Sequence, residues 1–222
     1  MRQETRHTIE IAILGGTGKE GAGLAARWAL AGHTIIIGSR DAERARAKAA
    51  ELRAQTERAT ITGDSNVGAA RRGGLIVLAL PAAGLAQTLP DLADACRGKV
   101  VVSTVVPLTF GGGRLFTPPP AGSAAEEAQA LLPDAKIVAA FHHIAAHELS
   151  ATEHTPECDL LMCGGDAQAK ETVAGLGRSM GLRVLDVGGL GNAGPLEGIT
   201  AVLATINRRY KLKNSGFKIT GL

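Results

Sequence analysis

The chain has 222 residues, 45% of them hydrophobic and 20% charged, which is the composition of a folded globular protein and excludes a disordered or fibrous one. Aromatic residues make up only 3% against 29 glycines, so the core falls to Ala, Val, Ile and Leu, and base stacking on nucleic acid is a poor fit. The net charge of +3, from 24 basic and 21 acidic residues, exerts no global pull toward nucleic acid or a membrane, so an anionic ligand has to be held locally.

Short branched-aliphatic runs alternate with longer helical patterns from the start, which is how a parallel sheet with crossover helices reads. Ile9 to Leu14 is predicted as a strand, Gly18 to Ala31 as a helix and Thr34 to Gly38 as a second strand. Asp41 to Glu57 reads as a charged helix capped by Asp41, and Ala59 to Thr62 as a third strand. Asp64 opens a short helix to Arg71, Leu75 to Leu80 is a buried strand, and Ala82 to Ala95 is a helix with a break due at Pro90. Lys99 to Thr104 continues the sheet.

The rhythm then breaks. Phe110 to Gly122 carries Gly111, Gly112, Gly113 and then Pro118, Pro119, Pro120, a long loop of the kind compact domains keep for ligands. Ser123 with Glu126 forms a capping-box signature for a helix ending near Leu132, and Lys136 to Phe141 is one more strand. Asp159 to Cys163, Ala167 to Met180, Arg183 to Val187 and Pro195 to Tyr210 read as strand, helix, strand, helix. In the last helix Ile199, Val202, Leu203, Ile206 and Tyr210 share one face. The predicted fold class is α/β, a Rossmann-type doubly wound parallel sheet with a second, smaller α/β lobe. Residues 1–145 would form the dinucleotide-binding domain and residues 146–222 a small C-terminal domain.

Cys96, Cys158 and Cys163 have no paired short spacing and read as reduced core fillers, while Met1 to Thr8 lacks the apolar segment of a signal peptide. The expected location is the cytoplasm. The longest uncharged run, Gly73 to Pro90, is broken by Pro81 and Gly84, so no membrane partner is expected, and none of nucleic acid.

The chemistry concentrates at Gly16-Thr17-Gly18-Lys19-Glu20-Gly21, which follows a predicted strand directly and opens a helix. This is the context a dinucleotide fingerprint needs: the glycines allow a tight turn and close approach of backbone to a pyrophosphate, and free N–H groups at the helix start hold the phosphates. The end of the second strand discriminates between cofactors. It reads Gly38-Ser39-Arg40, with Arg44 one helical turn on; no carboxylate stands where NAD's ribose would need one, and a hydroxyl with two guanidiniums suits the 2′-phosphate of NADP. Asp41 as a displaced ribose ligand keeps NAD open.

Other chemistries can be sorted by spacing. Tyr210, the single tyrosine, has Asn214 where a short-chain dehydrogenase needs lysine. His143 and His147 stand four apart, as two zinc ligands on a helix would, but no third ligand has a recognisable spacing and Ala151 ends the His-Glu-x-x-His pattern, so no metal is expected. Three functions remain: a direct hydride transfer needing no proton relay, a reductase of a small imine or aldehyde, and a non-catalytic NADP sensor.

Over nearly its whole length the chain resembles the NADPH-dependent coenzyme F420 reductases (F420H2:NADP oxidoreductases). The resemblance rests on Leu14-Gly15-Gly16-Thr17-Gly18 with Gly21, Gly38-Ser39-Arg40, Ile61-Thr62-Gly63, Val100-Val101-Val102-Ser103 with Val106-Pro107, and Ser123-Ala124-Ala125-Glu126. It continues in His142 with Ile144, Cys163-Gly164 with Asp166, Gly181-Leu182-Arg183 with Leu185-Asp186, and Gly216 with Lys218. It implies hydride transfer between NADP(H) and F420 as co-substrate. NADP would be held by Thr17, Gly18, Lys19 and Glu20, and its 2′-phosphate by Thr17, Ser39, Arg40 and Arg44. It implies further contacts from Leu80, Pro81, Ala82, Ala86 and Gly112, and from the His142 to Ala146 segment including Ile144. His142 is the one candidate catalytic side chain: either it or backbone N–H groups would meet charge at the deazaflavin's pyrimidine edge, and the alternative reading is a core histidine that closes the strand with an ordinary hydrogen bond. The chain departs from the family at Ala82, where a bulky aromatic occurs, and at Ala145, where proline occurs. A homodimer is expected from the thin apolar second lobe. The basic C-terminus, with Arg208, Arg209, Lys211, Lys213 and Lys218, reads as a solvated helix end or as an attractor for the acidic F420 tail.

Overall fold

The computed structural model describes residues 8–56, 59–111 and 113–222. Within them the chain builds one eight-stranded sheet in the order β3-β2-β1-β4-β5-β6-β7-β8. The strands are β1 (Glu10–Leu14), β2 (Thr34–Ser39), β3 (Ile61–Ser65), β4 (Leu75–Leu78), β5 (Val100–Ser103), β6 (Lys136–Ala139), β7 (Asp159–Gly164) and β8 (Arg183–Asp186). The first six run parallel, and the strand order reverses between β1 and β4. β7 joins antiparallel to β6 through Val138 with Gly164 and Ala139 with Cys163, and β8 runs parallel to β7. The strands expected in the smaller lobe therefore extend the same sheet.

Alternation along the strands sends side chains to two helical layers. Ile11, Ile13, Ile35 and Ile37 pack with α1 (Lys19–Leu30), α2 (Ala42–Gln55) and α8 (Ala167–Ser179). Ala12, Leu14, Ile36 and Leu78 face the opposite layer of α3 (Asn66–Arg72), the short turns α4 (Leu85–Thr88) and α5 (Ala93–Cys96), α6 (Ala124–Leu131) and α9 (Ala193–Tyr210). The three cysteines are free and buried in these layers, and burial pushes the Cys163 thiol up to about 12, so they act as small apolar fillers. Among the described residues no helix is long and apolar enough to cross a membrane.

Several sequence expectations shift. β3 begins two residues late, at Ile61 paired with Ile35, and runs on to Ser65; within it Gly63 meets α2, where a Cβ would lie 2.3 Å from the Ala45 carbonyl carbon. α3 is capped by Ser65, whose hydroxyl accepts the Gly68 N–H, and not opened by Asp64. Glu57, the predicted last residue of the second helix, lies outside the described residues, and that helix closes at Thr56. The predicted helix from Ala82 to Ala95 is broken into α4, α5 and two 3₁₀ turns, with Pro90 starting the second. In α9 the predicted apolar face divides: Leu203 is buried, but Val202 and Tyr210 are 59% and 66% exposed.

A short helix, α7 (Ala146–Ser150), is bolted to α1. A Cβ on Gly23 would lie 2.6 Å from that of Leu149, so the two helices touch at backbone distance. Arg27 is almost wholly buried and makes no ion pair among the described residues; its guanidinium donates to the carbonyls of Leu149 at 3.0 Å, His154 at 3.0 Å, Ala151 at 2.7 Å and Glu148. Phe141, held at φ 68°, meets Trp28 edge-on with ring centroids 5.2 Å apart. The segment from Phe141 to His154 is thus fixed to the helix that follows the glycine turn. Arg27→Met should lower the unfolding free energy by about 2–4 kcal/mol in urea titration, since it strands several carbonyls. Arg27→Lys should recover less than half, because an ammonium cannot serve four acceptors spread over a planar fork. A loss below ~0.5 kcal/mol would mean that the clamp is unimportant.

Candidate active site

The six parallel strands β1 to β6 end on the same edge of the sheet, and the crevice where strand order reverses is where open α/β sheets bind ligands. The glycine turn sits there. Gly38 offers its carbonyl to the N–H groups of Gly15 and Gly16, at 3.0 and 3.1 Å, which ties the loop after β1 to the end of β2. Gly15 has φ +79°, and a Cβ on it would lie 2.4 Å from the Ala79 carbonyl oxygen after β4. A Cβ on Gly21 would lie 2.8 Å from the Gly16 Cα, so the turn and α1 also pack at backbone distance.

Gly18 is different. Its added Cβ would touch only the Gly15 carbonyl, at an ordinary 3.4 Å, and it stands exposed as the N-cap of α1. No side chain caps this helix, unlike α2, α3, α6 and α8, whose N-caps all accept backbone N–H bonds. The exposed start of α1 therefore keeps N–H donors and the positive dipole end for an anion.

Ser39, nearly buried, directly follows Gly38 at the end of β2, with Arg40 and Arg44 exposed beside it. Asp41 does not compete for a ribose: its carboxylate accepts the N–H groups of Glu43 and Arg44 as the cap of α2. Glu43 pairs with Arg46, and among the described residues Arg40 and Arg44 have no ion-pair partner. Two unpaired guanidiniums and a hydroxyl with no carboxylate free to oppose them fit a phosphomonoester.

Across the crevice Leu80 leans on Gly15, its Cδ2 lying 3.1 Å from where a Gly15 Cβ would be. Pro81 and Ala82 follow at the end of β4, and Ala86 is exposed on α4. Beyond β5 the Thr104 hydroxyl donates to the Leu78 carbonyl at 3.0 Å, while the Ser103 hydroxyl is buried with no partner. His142 follows β6 with both ring nitrogens buried and unpartnered; the carbonyls of Ala140, Leu196 and Ser103 face the ring outside hydrogen-bonding geometry. Burial and the neighbouring His143 push its pKa down to about 3, so the imidazole is neutral. His143, by contrast, is a structural group, its Nε2 lying 3.0 Å from the Asp159 carbonyl and 3.2 Å from the Leu161 nitrogen.

Ile144 is buried and Ala146 half-buried at the start of α7. Ala145 has φ −61° and ψ 132°, backbone a proline would also adopt, so the chain keeps this course without one. α7 begins only at Ala146, so His143 and His147 do not share a helical face. Among the described residues no group of three or more His, Cys, Asp or Glu side chains converges on a metal position. Gly112 lies outside the described residues; its neighbours Gly113 to Phe116 line an apolar groove of about 480 Å³ with Gly198, Ala201 and Val202 of α9. In the basic C-terminus, Arg208 and Arg209 occupy the last turn of α9 and the Lys218 amine lies 3.9 Å from Glu157.

Sequence reasoning assigned no role to Ser103, Thr104 or the buried face of α9. A hydroxyl pair closing the apolar run of β5 at the sheet's carboxyl edge was the available signal. For α9 there was none, since its contacts depend on the fold: the Thr200 hydroxyl donates to the His142 carbonyl at 3.0 Å, and the Glu197 carboxyl accepts the N–H groups of Ala124 and Ala125 at the start of α6.

Fold and site together define a nucleotide-binding oxidoreductase of the Rossmann class. A match to the family described as "NADP oxidoreductase coenzyme F420-dependent" spans residues 10–107. The F420-dependent NADP reductase of Methanocaldococcus jannaschii is 40% identical over 96% of this chain and 99% of its own. That of Methanothermobacter thermautotrophicus is 36% identical over 96% of each chain. A crystal structure of a putative F420-dependent NADP reductase from Arthrobacter sp. FB24 superposes with a TM-score of 0.82 at 27% identity, covering 96% of this chain and all of that one. The chain belongs to the coenzyme F420-dependent NADP oxidoreductase family.

Glu197, wholly buried, has its pKa pushed up to about 7 by burial, against the two N–H bonds that favour its charge. Its folded pKa exceeds its unfolded value, so its contribution is fully present below about pH 4.5 and is lost as pH rises through about 7, an amount of about 3 kcal/mol. Comparing unfolding free energies at pH 5 and pH 8, Glu197→Gln should lose much less over that interval than the parent protein. Parallel profiles for the two would assign the dependence elsewhere.

Proposed function

We propose that this chain transfers a hydride directly between NADP(H) and the 5-deazaflavin coenzyme F420. The observation that carries the cofactor choice is the pair of unpaired guanidiniums, Arg40 and Arg44, beside Ser39 and the uncapped start of α1. Family membership along the whole chain carries the choice of hydride partner. The residues present fit both groups: donors at α1 for a pyrophosphate, cations for a 2′-phosphate, and orphaned polar atoms on Ser103 and His142 facing the crevice end of the sheet.

The two bound cofactors supply the redox chemistry as a hydride donor and a hydride acceptor. The protein's part is positioning and exclusion of water. The Thr17 to Glu20 backbone holds the phosphates, and Ser39, Arg40 and Arg44 the 2′-phosphate, which fixes one end of the dinucleotide. Leu80, Pro81 and Ala82 support its other ring from the end of β4, with Ala86 at the rim. The His142 to Ala146 segment, rigid because Arg27 and Trp28 hold it, forms the opposite wall with Ile144. His142 acts there as a neutral hydrogen-bonding group, not as a cation or general acid. Residues 1–145 hold the dinucleotide and residues 146–222 close the deazaflavin cleft.

The protein works as a cytoplasmic homodimer in this reading. Support for the dimer is the apolar groove between the 113–116 segment and α9, with Val202 and Tyr210 exposed along the helix. Val202→Glu should shift sedimentation from dimer to monomer while leaving the monomer folded. A dimer unmoved by the change would place the interface elsewhere.

Mixing purified protein with NADPH and oxidised F420, and following the loss of deazaflavin absorbance, tests the function directly; NADH should be a much poorer donor. Arg40→Ala should raise the KM for NADPH roughly tenfold or more and that for F420 less than about twofold, as expected for one lost charge-assisted phosphate contact. Equal effects on both would remove Arg40 from the 2′-phosphate site.

A further inference from the structure

One buried ionisable group in the dinucleotide crevice has no role in the reading above. Glu20 is the second residue of α1, and its Oε1 is fully buried with no hydrogen-bond partner among the described residues. The residue as a whole is half-buried. The polar group facing it is the Thr104 hydroxyl, whose proton is already given to the Leu78 carbonyl. Thr104 can therefore accept a bond from Glu20 but has no second proton to offer a carboxylate.

The surrounding charges do not compensate an ionised Glu20. Lys19, its neighbour in the turn, is exposed. On the elements packed against α1, Arg44 of α2 is solvated, Glu43 pairs with Arg46, Glu148 of α7 pairs with His154 at 2.9 Å, and His147 is exposed. None of them acts on Glu20, and burial pushes its pKa up to about 8. A carboxylate at the second position of a phosphate-binding helix would also sit against the pyrophosphate charge, which disfavours ionisation further once the ligand arrives.

We propose that Glu20 serves as a neutral carboxylic acid in the dinucleotide site, donating its proton to an oxygen of bound NADP(H), so that binding requires Glu20 protonated. The proposal rests on the NADP reading and adds to it a proton linkage at a named atom. The orphaned Oε1 is then half of a carboxyl group whose partner is the ligand. Above the pKa of the free protein, binding takes up one proton, and affinity falls with each further step in pH.

The test is NADP⁺ binding measured by calorimetry from pH 7 to pH 9.5 in buffers of different ionisation enthalpy. The dissociation constant of the parent protein should rise about tenfold or more between pH 8 and pH 9.5, with close to one proton taken up per ligand at the alkaline end. In Glu20→Gln, which is neutral throughout, the ratio of the two constants should stay within about twofold. Binding with the same alkaline loss in Glu20→Gln, or binding by the parent protein with no proton uptake, overturns the role of Glu20 and leaves the NADP site standing. Failure of the parent protein to bind NADP⁺ at any pH overturns the site itself. Should Glu20→Gln not fold, proton uptake by the parent protein decides alone.

Discussion

The Gly38 carbonyl receives two N–H groups, from Gly15 and Gly16, while the Gly15 backbone lies against the Ala79 carbonyl. Three strand ends are thereby brought closer than any side chain would permit. The consequence is positional: α1 starts directly above the point where strand order reverses, with its first donors uncapped. Had Gly15 or Gly16 carried a Cβ, the turn would have to open, and with it the distance from α1 to Ser39 on one side and Leu80 on the other. In the proposed reading, the phosphate end and the nicotinamide end of the site are set by the same turn.

α1 then carries that placement across the molecule. Gly23 lets α7 approach to backbone contact, Arg27 collects the carbonyls of the 148–154 segment, and Trp28 holds Phe141 in a left-handed conformation that a bulky residue ordinarily avoids. The strain at Phe141 turns the chain sharply after β6 and puts His142 under the crevice with its nitrogens unspent. From the other layer, α9 reaches the same segment through Thr200 and fastens α6 through Glu197. A wall held from both layers of the sheet suits a reaction whose catalysis is positioning, because neither face can shift alone.

Much of this was legible in the sequence where local chemistry decides. The glycine turn in its strand–helix context, Asp41 as a cap and the absence of a carboxylate after Gly38 all follow from residues within a few positions of one another. The Ser123–Glu126 signature placed α6 correctly, although Glu126 bonds the Ser123 hydroxyl and the buried donors at that helix start go to Glu197, 73 residues on. What was not legible depends on distant partners. Nothing near Arg27 in sequence marks it as a buried clamp, since on a helical pattern it reads as an ordinary solvated cation. The face of α9 was misjudged for a related reason: periodicity reports which residues are apolar together, but not whether the sheet is wide enough to cover all of them.

The buried polar atoms of the crevice also make sense as a set. A protein core rarely leaves a hydroxyl, an imidazole and a carboxyl unpartnered within one region, because each costs free energy when dehydrated without a bond. Here Glu20, Ser103 and His142 do so at the carboxyl ends of β1, β5 and β6, on the one edge of the sheet where α1 also keeps its donors free. Asn66 Oδ1 and His143 Nδ1 are unpartnered as well, and the apolar interior around these atoms is built mainly of Ala, Val, Ile and Leu. All three are neutral in the environment burial creates for them: a hydroxyl, an imidazole far below its usual range and a carboxyl far above it. The charge in the proposed site is therefore concentrated at Lys19, Arg40 and Arg44, at the phosphate end. The end where the hydride would pass is lined by groups that can donate or accept a hydrogen bond without placing a fixed charge beside the reacting rings.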